Sequence, residues 1–265
     1  MKKKMFFVTA FLAVIGGLVW AHEFFVIPRE IKDYKTGDTI ALDVLSTHHF
    51  MVGEEIETPA SVNQVYVLQN GEKTVLTLTA NQARLLYETS YKLKGDSPAL
   101  LVGNRMGGYY CIFTDGSYAD GKKAEVAKAN SQKTIAKSRY FAKFSKTYLT
   151  PNVQDDSFKT PLGQDIEIVP VTNPANIKKG STAEFQVLYK GKPLVGAEVS
   201  ATYDSYDNKT ENKYALTAKT NKKGEVKFKI GKSGIWLVRV SDTRASNEAD
   251  VDEENLAAIV VFSVK

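Results

Sequence analysis

Histidines are the residues of this chain with the clearest chemical potential, and only three are present. His48 and His49 are adjacent at the end of an alternating run that begins at Ile40, and His22 lies just before a short apolar run. Imidazole nitrogens suit nickel, cobalt, copper and zinc, whereas magnesium and calcium prefer oxygen ligands. If the two runs pair as neighbouring strands, His22 and His48 come within a few ångströms. The sequence therefore predicts a transition-metal site there, completed by a water or by a carboxylate such as Glu23.

The beginning of the chain has the pattern of an export signal. Three lysines, Lys2–Lys4, precede an apolar run that ends at Val19. Val19 and Ala21 are small residues at the −3 and −1 positions of a cleavage site after Ala21. We therefore expect residues 1–21 to be a signal peptide, the mature protein to be periplasmic, and His22 to be its first residue.

An amino-terminal histidine offers two nitrogen ligands to one metal ion, because its α-amine and ring Nδ1 can close a chelate ring. The α-amine has an ordinary pKa of about 8 and the imidazole one of about 6.5, so a divalent metal can displace both protons near neutral pH. If the leader is not cleaved, it would act as a membrane anchor. The sequence predicts no other contact between the protein and a membrane.

Composition excludes several classes of function. The chain has 35 Lys and Arg against 30 Asp and Glu, and loss of the three leader lysines would leave 32 basic residues and a net charge of about +2. This balance gives no electrostatic support for nucleic-acid binding. The single cysteine, Cys111, cannot form an intramolecular disulfide and is expected to be a buried apolar residue. No Gly-x-Ser-x-Gly motif is present, so we predict no enzymatic activity.

The fold is predicted to be mainly β, with two domains after the leader. Short alternating runs and turn signals indicate a β-rich domain over residues 22–160. Within it, a lysine- and alanine-rich segment predicts a helix over residues 123–147, because four aromatic residues recur there at helical spacing. They are Tyr140, Phe141, Phe144 and Tyr148. Residues 161–265 alternate with turns every 8–12 residues, which is typical of an immunoglobulin-like β-sandwich with Trp236 in its core.

Several short motifs together resemble a known family. The expected mature end reads His-Glu-Phe, and a His-x-Phe-x-x-Gly-Glu segment follows at His48–Glu54. Further matching segments occur along most of the chain. They are Lys137–Lys143, Pro161–Pro170, Asn173–Pro174, Gly191–Ala197 and Gly234–Trp236. This set is similar to the periplasmic components associated with nickel and cobalt uptake transporters.

The resemblance implies a periplasmic protein that binds nickel or cobalt through His22 and His48 and has a membrane transporter as its partner. His49 falls on a variable position of the motif and is retained as a candidate ligand. The family pattern also implies a histidine after the Trp236 strand, where this chain has Ser241 and Asp242. A ligand from the second domain is therefore either absent or replaced by Asp242. Copper and zinc remain possible ions, because affinity order does not identify the biological one.

Two other classes of function stay open. A terminal-histidine chelate with a second histidine is also used by copper-dependent polysaccharide oxidases, which usually need an exposed aromatic surface. Alternatively, the chain is a structural or adhesion β-sandwich whose histidines bind no metal. The acidic run Glu248–Glu254 lacks a glycine that would shape a calcium loop, and we interpret it as a solvated loop.

Overall fold

The structure is a computed structural model that describes residues 22–30, 32–62, 64–150, 152 and 154–265. The predicted leader and its cleavage site therefore lie outside the described residues. Those residues form a mainly β protein with one short α-helix, α1 (Lys123–Ala129), and two 3₁₀ turns, Ser157–Lys159 and Pro174–Asn176. The strands are β1 (Glu23–Pro28), β2 (Thr39–Thr47), β3 (Gln64–Gln69), β4 (Glu72–Val75), β5 (Thr79–Asn81), β6 (Leu86–Lys92), β7 (Leu100–Phe113), β8 (Tyr118–Asp120), β9 (Ile135–Tyr148), β10 (Ile166–Pro170), β11 (Thr182–Tyr189), β12 (Lys192–Pro193), β13 (Glu198–Tyr203), β14 (Leu216–Lys219), β15 (Glu225–Lys229), β16 (Gly234–Ala245) and β17 (Glu253–Val264).

The strand that carries the expected mature end is buried on both faces. β1 pairs antiparallel with β2 in a sheet of order β1-β2-β6-β5. Phe24 and Val26 pack into one apolar cluster with β2 side chains, whereas Phe25 and Ile27 pack into another with side chains from β16 and β17. Burial on both faces explains why β1 is a continuous apolar run rather than an alternating one.

A β-sandwich occupies the C-terminal part of the chain. One sheet is β10-β11-β12 with β15 beside β11, and the other contains β14-β13-β16-β17. Side chains from both sheets enclose a common core that includes Trp236, which is 1% exposed. The predicted core position of Trp236 is confirmed, and its indole N–H is satisfied by the carbonyl of Lys232 at 3.0 Å. The immunoglobulin type stays a prediction.

One large sheet joins the two predicted domains. β17 pairs in parallel with β9, so the order β14-β13-β16-β17 continues through β9, β7, β3 and β4. Strands from both sides of the predicted boundary at residue 160 therefore share backbone hydrogen bonds. The boundary itself stays a prediction.

The helix predicted over residues 123–147 is wrong beyond its first turns. The structure has α1 over Lys123–Ala129, followed by the long strand β9 over Ile135–Tyr148. Tyr140, Phe144 and Tyr148 are four residues apart, and that spacing places them on one face of a strand as well as one face of a helix. The segment is a strand rather than a helix because its backbone pairs with β7 on one side and with β17 on the other.

A glycine in β7 lets β1 approach the large sheet. A Cβ on Gly103 would lie 2.8 Å from the Ser145 hydroxyl and 2.8 Å from a methyl of Val26. The Thr147 hydroxyl donates a hydrogen bond to the Val26 carbonyl from the same side. These contacts hold β1, and with it His22, against β7 and β9.

Two findings concern single features. Cys111 is fully buried, as predicted, and is close to Phe113 and Val126. Within the described residues, no helix has the length and apolar character needed to cross a bilayer.

Candidate metal centre

The pairing of β1 with β2 brings His22 close to His48. The register of β1 and β2 sets Glu23 opposite Thr47, so the next residues outward are His22 and His48. Their ring centroids are 4.0 Å apart with planes inclined by 40°. The predicted proximity of His22 and His48 is therefore present in the fold, because the antiparallel register places their side chains on neighbouring positions.

The segment after β2 turns back on itself and returns a carboxylate to the histidines. The His49 carbonyl accepts a hydrogen bond from the Val52 amide at 3.0 Å, and Met51 has a positive φ of 73°. A Cβ on Gly53 would lie 2.4 Å from the carbonyl oxygen of Arg84, so only glycine fits there. The tight turn and the glycine together place Glu54 beside the rings.

Glu54 is the carboxylate that completes the cluster. Its Oε2 accepts hydrogen bonds from the His48 backbone amide at 2.9 Å, lies 3.0 Å from the His48 Nδ1 and is 3.6 Å from the His22 Nε2. One potential ligand atom from each of these three residues lies within 4.8 Å of the other two. Glu55 approaches the opposite nitrogen of His22, with its Oε2 3.1 Å from Nδ1.

His49 is held differently from the other two histidines. Its Nδ1 contacts the second oxygen of Glu54, and its Nε2 lies 3.2 Å from the carbonyl oxygen of Lys209. The contact with Glu54 is the largest cause of a raised pKa for His49. The structure therefore places His49 beside the cluster, where it binds Glu54.

Near pH 7, His22 and Glu54 are in the protonation states that bind a metal ion. Burial, helped by the charges of His48 and Lys143, lowers the pKa of His22 to about 4, so its ring is neutral near pH 7. Burial alone would raise the pKa of Glu54, but the backbone amide of His48 and the rings of His49 and His48 outweigh burial and lower it to about 2. A neutral imidazole and an ionised carboxylate are the forms that bind a metal ion.

A buried lysine lies behind the site. The Lys143 ammonium donates a hydrogen bond to the backbone carbonyl of His22. Burial and the neighbouring charge of Arg105 lower the pKa of Lys143 to about 8, against the attraction of nearby glutamates such as Glu23. Lys143 thereby restrains the backbone of the residue expected to be the mature terminus.

Two residues named from the sequence lie elsewhere. Glu23 points away from the rings: its Oε1 is 2.5 Å from Arg239 Nε and accepts a hydrogen bond from the Tyr214 hydroxyl at 3.1 Å. Asp242 pairs with Arg244, and the cluster does not include it. Glu54, which the sequence reasoning did not select, takes the place proposed for Glu23. Its signal was present in the motif, since Gly53-Glu54 follows the two histidines and the absence of a side chain at Gly53 lets the segment pass close to Arg84.

The donor set fits a late first-row transition metal. Two imidazoles and one carboxylate match the preferences of nickel, cobalt, copper and zinc, and the set lacks the many oxygen ligands that calcium takes. Three side chains leave coordination positions for Glu55 or for water. The α-amine of a mature terminus would join through a chelate with Nδ1 of His22, which is the ring nitrogen that faces Glu55. Among the residues that the structure describes, no other group of three such side chains comes this close together.

Comparisons with known proteins identify a family. The family model of a domain of unknown function, DUF4198, matches residues 19–244. No curated protein matches the sequence. Similar solved structures include the D0-D1 domain of intimin, with 16% identity over 92% of this chain and 98% of that chain at a TM-score of 0.22. They also include the mouse nectin-like molecule 4 ectodomain, with 8% identity over 92% and 65% at a TM-score of 0.19.

Proposed function

The chain belongs to the DUF4198 family, whose function is undefined, and we propose from its own residues that it is a periplasmic protein that binds nickel or cobalt. The ion is cargo, held by His22, His48 and Glu54 and passed to a membrane transporter. No covalent bond is made or broken in this role, so we propose no enzymatic activity.

The convergence of His22, His48 and Glu54 is the observation that carries this proposal. The three residues come from two segments that a strand register and a tight turn bring together, and their ligand atoms lie within 4.8 Å of one another. A histidine that is merely solvated on the surface would not require a strand register and a tight turn to place it beside a second histidine and a carboxylate. The low pKa of His22 adds to the argument, because a proton competes weakly for that ring at neutral pH.

Partial exposure of the cluster suits a protein that releases its ion. The His22 side chain is 29% exposed and Glu54 is 22% exposed, so the ligands are reached from solvent without opening the fold. The transporter as recipient, the periplasmic location and the choice of nickel or cobalt rest on the resemblance of the sequence motifs. The site chemistry is compatible with them but equally accepts copper and zinc.

Calorimetric titration of the chain beginning at His22 tests the proposal. We expect nickel or cobalt to bind at one ion per chain. The same chain with one extra residue before His22 loses the α-amine chelate and should bind more weakly, as should His22→Ala and His48→Ala. The Asp242→Ala variant serves as the matched control and should bind like the wild type, because Asp242 lies outside the cluster.

Two outcomes would contradict the proposal. If the chain with one extra residue before His22 binds the ion as tightly as the chain beginning at His22, the α-amine of His22 is not a ligand. Failure of nickel, cobalt, copper and zinc alike to bind would favour a structural or adhesion role. The copper oxidase alternative would be supported by reductant-driven oxidation of a polysaccharide by the copper-loaded chain. Burial of Trp236 argues against that alternative, since this tryptophan offers no platform for a polymer.

A further inference from the structure

We propose that His49 is a positioning residue that ties Glu54 of the metal site to a loop of the C-terminal sandwich. The loop is the segment between β13 and β14, residues 204–215, and is called the 204–215 loop below. This inference rests on the proposed function, since it concerns how the same site is supported. It assigns His49 a role other than that of a ligand.

Both nitrogens of the His49 ring face hydrogen-bond acceptors. Nδ1 contacts a carboxylate oxygen of Glu54, and Nε2 lies 3.2 Å from the Lys209 carbonyl oxygen. A carbonyl and a carboxylate are hydrogen-bond acceptors, so both ring nitrogens are directed at protein groups of the fold. The ligand atoms that lie within 4.8 Å of one another belong to His22, His48 and Glu54, and His49 contributes none of them. The ring therefore acts on the metal through Glu54.

The Lys209 carbonyl is presented by a well-defined turn. The carboxylate of Asp207 accepts hydrogen bonds from the Lys209 amide at 2.8 Å and the Thr210 amide at 3.0 Å. The Thr210 hydroxyl donates to the other carboxylate oxygen at 2.9 Å. Aspartate commonly orders turns in this way, by bonding to amides two and three residues ahead. The acceptor that meets His49 is thus held by its own local structure.

Two further contacts join the 204–215 loop to the strands that carry the site. The Asn212 amide donates to the carbonyl of His48 at 2.8 Å. The Tyr214 hydroxyl donates to Glu23, directly after His22, at 3.1 Å. The loop therefore touches the residues that flank or form the cluster at three points, through His49, His48 and Glu23. A shift of Glu54 toward an ion would be transmitted to the loop through His49.

Two substitutions of His49 separate its two contacts. His49→Ala removes both. In His49→Asn, the amide nitrogen takes the approximate place of Nδ1 and can still donate to Glu54, but the side chain is too short to reach Lys209. Because groups that orient metal ligands typically contribute 10–100-fold to affinity, we expect His49→Ala to weaken nickel binding by about that factor. His49→Asn should recover most of the loss.

Two measurements distinguish positioning from ligation and from a merely structural role. X-ray absorption of the nickel-loaded chain should count the same number of imidazole ligands in wild type and His49→Ala. Hydrogen exchange should show that nickel slows exchange in the 204–215 loop of the wild type, and that this slowing is lost in His49→Asn although nickel still binds. Residues 225–229 of β15, which pairs with β11 in the other sheet of the sandwich, serve as the internal control.

Three results would overturn the positioning role of His49. Loss of one imidazole in His49→Ala would make His49 a ligand and overturn the inference. Wild-type nickel affinity in His49→Ala would also overturn it, while the proposed function stood. If the wild-type chain binds no nickel, cobalt, copper or zinc, the proposed function fails, and the positioning role fails with it because there is no ion to position.

Discussion

Replacing Lys146 by methionine would remove one half of an almost fully buried ion pair. Lys146 of β9 and Glu167 of β10 are each 1% exposed, and the Nζ–Oε1 distance is 2.8 Å. Glu167 also accepts hydrogen bonds from the amides of Leu162 at 2.6 Å and Gly163 at 3.1 Å. The pair connects the large sheet to the facing sheet of the sandwich, so its loss should be felt by the whole fold.

The expected cost follows from what the substitution leaves behind. Breaking a buried pair by removing one partner typically costs about 3–5 kcal/mol, because the other charge stays buried without its counterion. Glu167 keeps its two backbone donors in Lys146→Met, so we expect the lower end, about 3 kcal/mol. For a chain of this size, 1 kcal/mol corresponds to about 2–4 °C in Tm, which gives a fall of about 6–12 °C.

The matched control is the double variant Lys146→Met with Glu167→Gln. It removes both charges, and the glutamine oxygen can still accept a hydrogen bond from the Leu162 amide. Thermal and urea unfolding followed by circular dichroism should show that the double variant recovers more than half of the lost stability. The reasoning would be refuted if Lys146→Met cost less than about 1 kcal/mol, or if the double variant were no more stable than the single one.

Three further predictions concern the site, the packing of β1 and the thiol. Glu54→Gln should weaken nickel binding, measured by calorimetry, at least about tenfold more than Glu55→Gln does. The reason is that Glu54 contacts His48 and His49, whereas Glu55 is half-exposed. Equal losses of affinity in the two variants would contradict the assignment of Glu54 as the ligand. Gly103→Ala should cost about 1–3 kcal/mol in urea unfolding through overcrowding between β1 and β9, and Gly231→Ala, which meets no neighbouring atom, should cost less. Cys111 is fully buried, which raises the pKa of its thiol, so mass spectrometry should find it alkylated by iodoacetamide only after unfolding; rapid native labelling would refute its burial.

Local patterns were enough to predict much of the sheet structure and one essential contact of the site. Alternation from Ile40 predicted β2, and the apolar run after His22 predicted β1. Pairing of strands that are close in sequence is common, so the meeting of His22 and His48 was predictable. The burial of Trp236 followed from its place in an alternating run, and that of Cys111 from its place in the strand-like run Tyr109–Phe113.

Only the tertiary structure decided the rest of the site, because several alternatives share one local pattern. A spacing of four residues fits one face of either a helix or a strand, and β9 is a strand because β7 and β17 supply its hydrogen bonds. Glu23 is closer to His22 in sequence than Glu54 is, yet Arg239 of β16 draws the Glu23 carboxylate away. The acceptor for His49 comes from Lys209, and no local signal predicts a contact between residues 160 positions apart. Periodicity determines which residues form strands, whereas the partner that each charged side chain meets depends on strands brought together from distant parts of the chain.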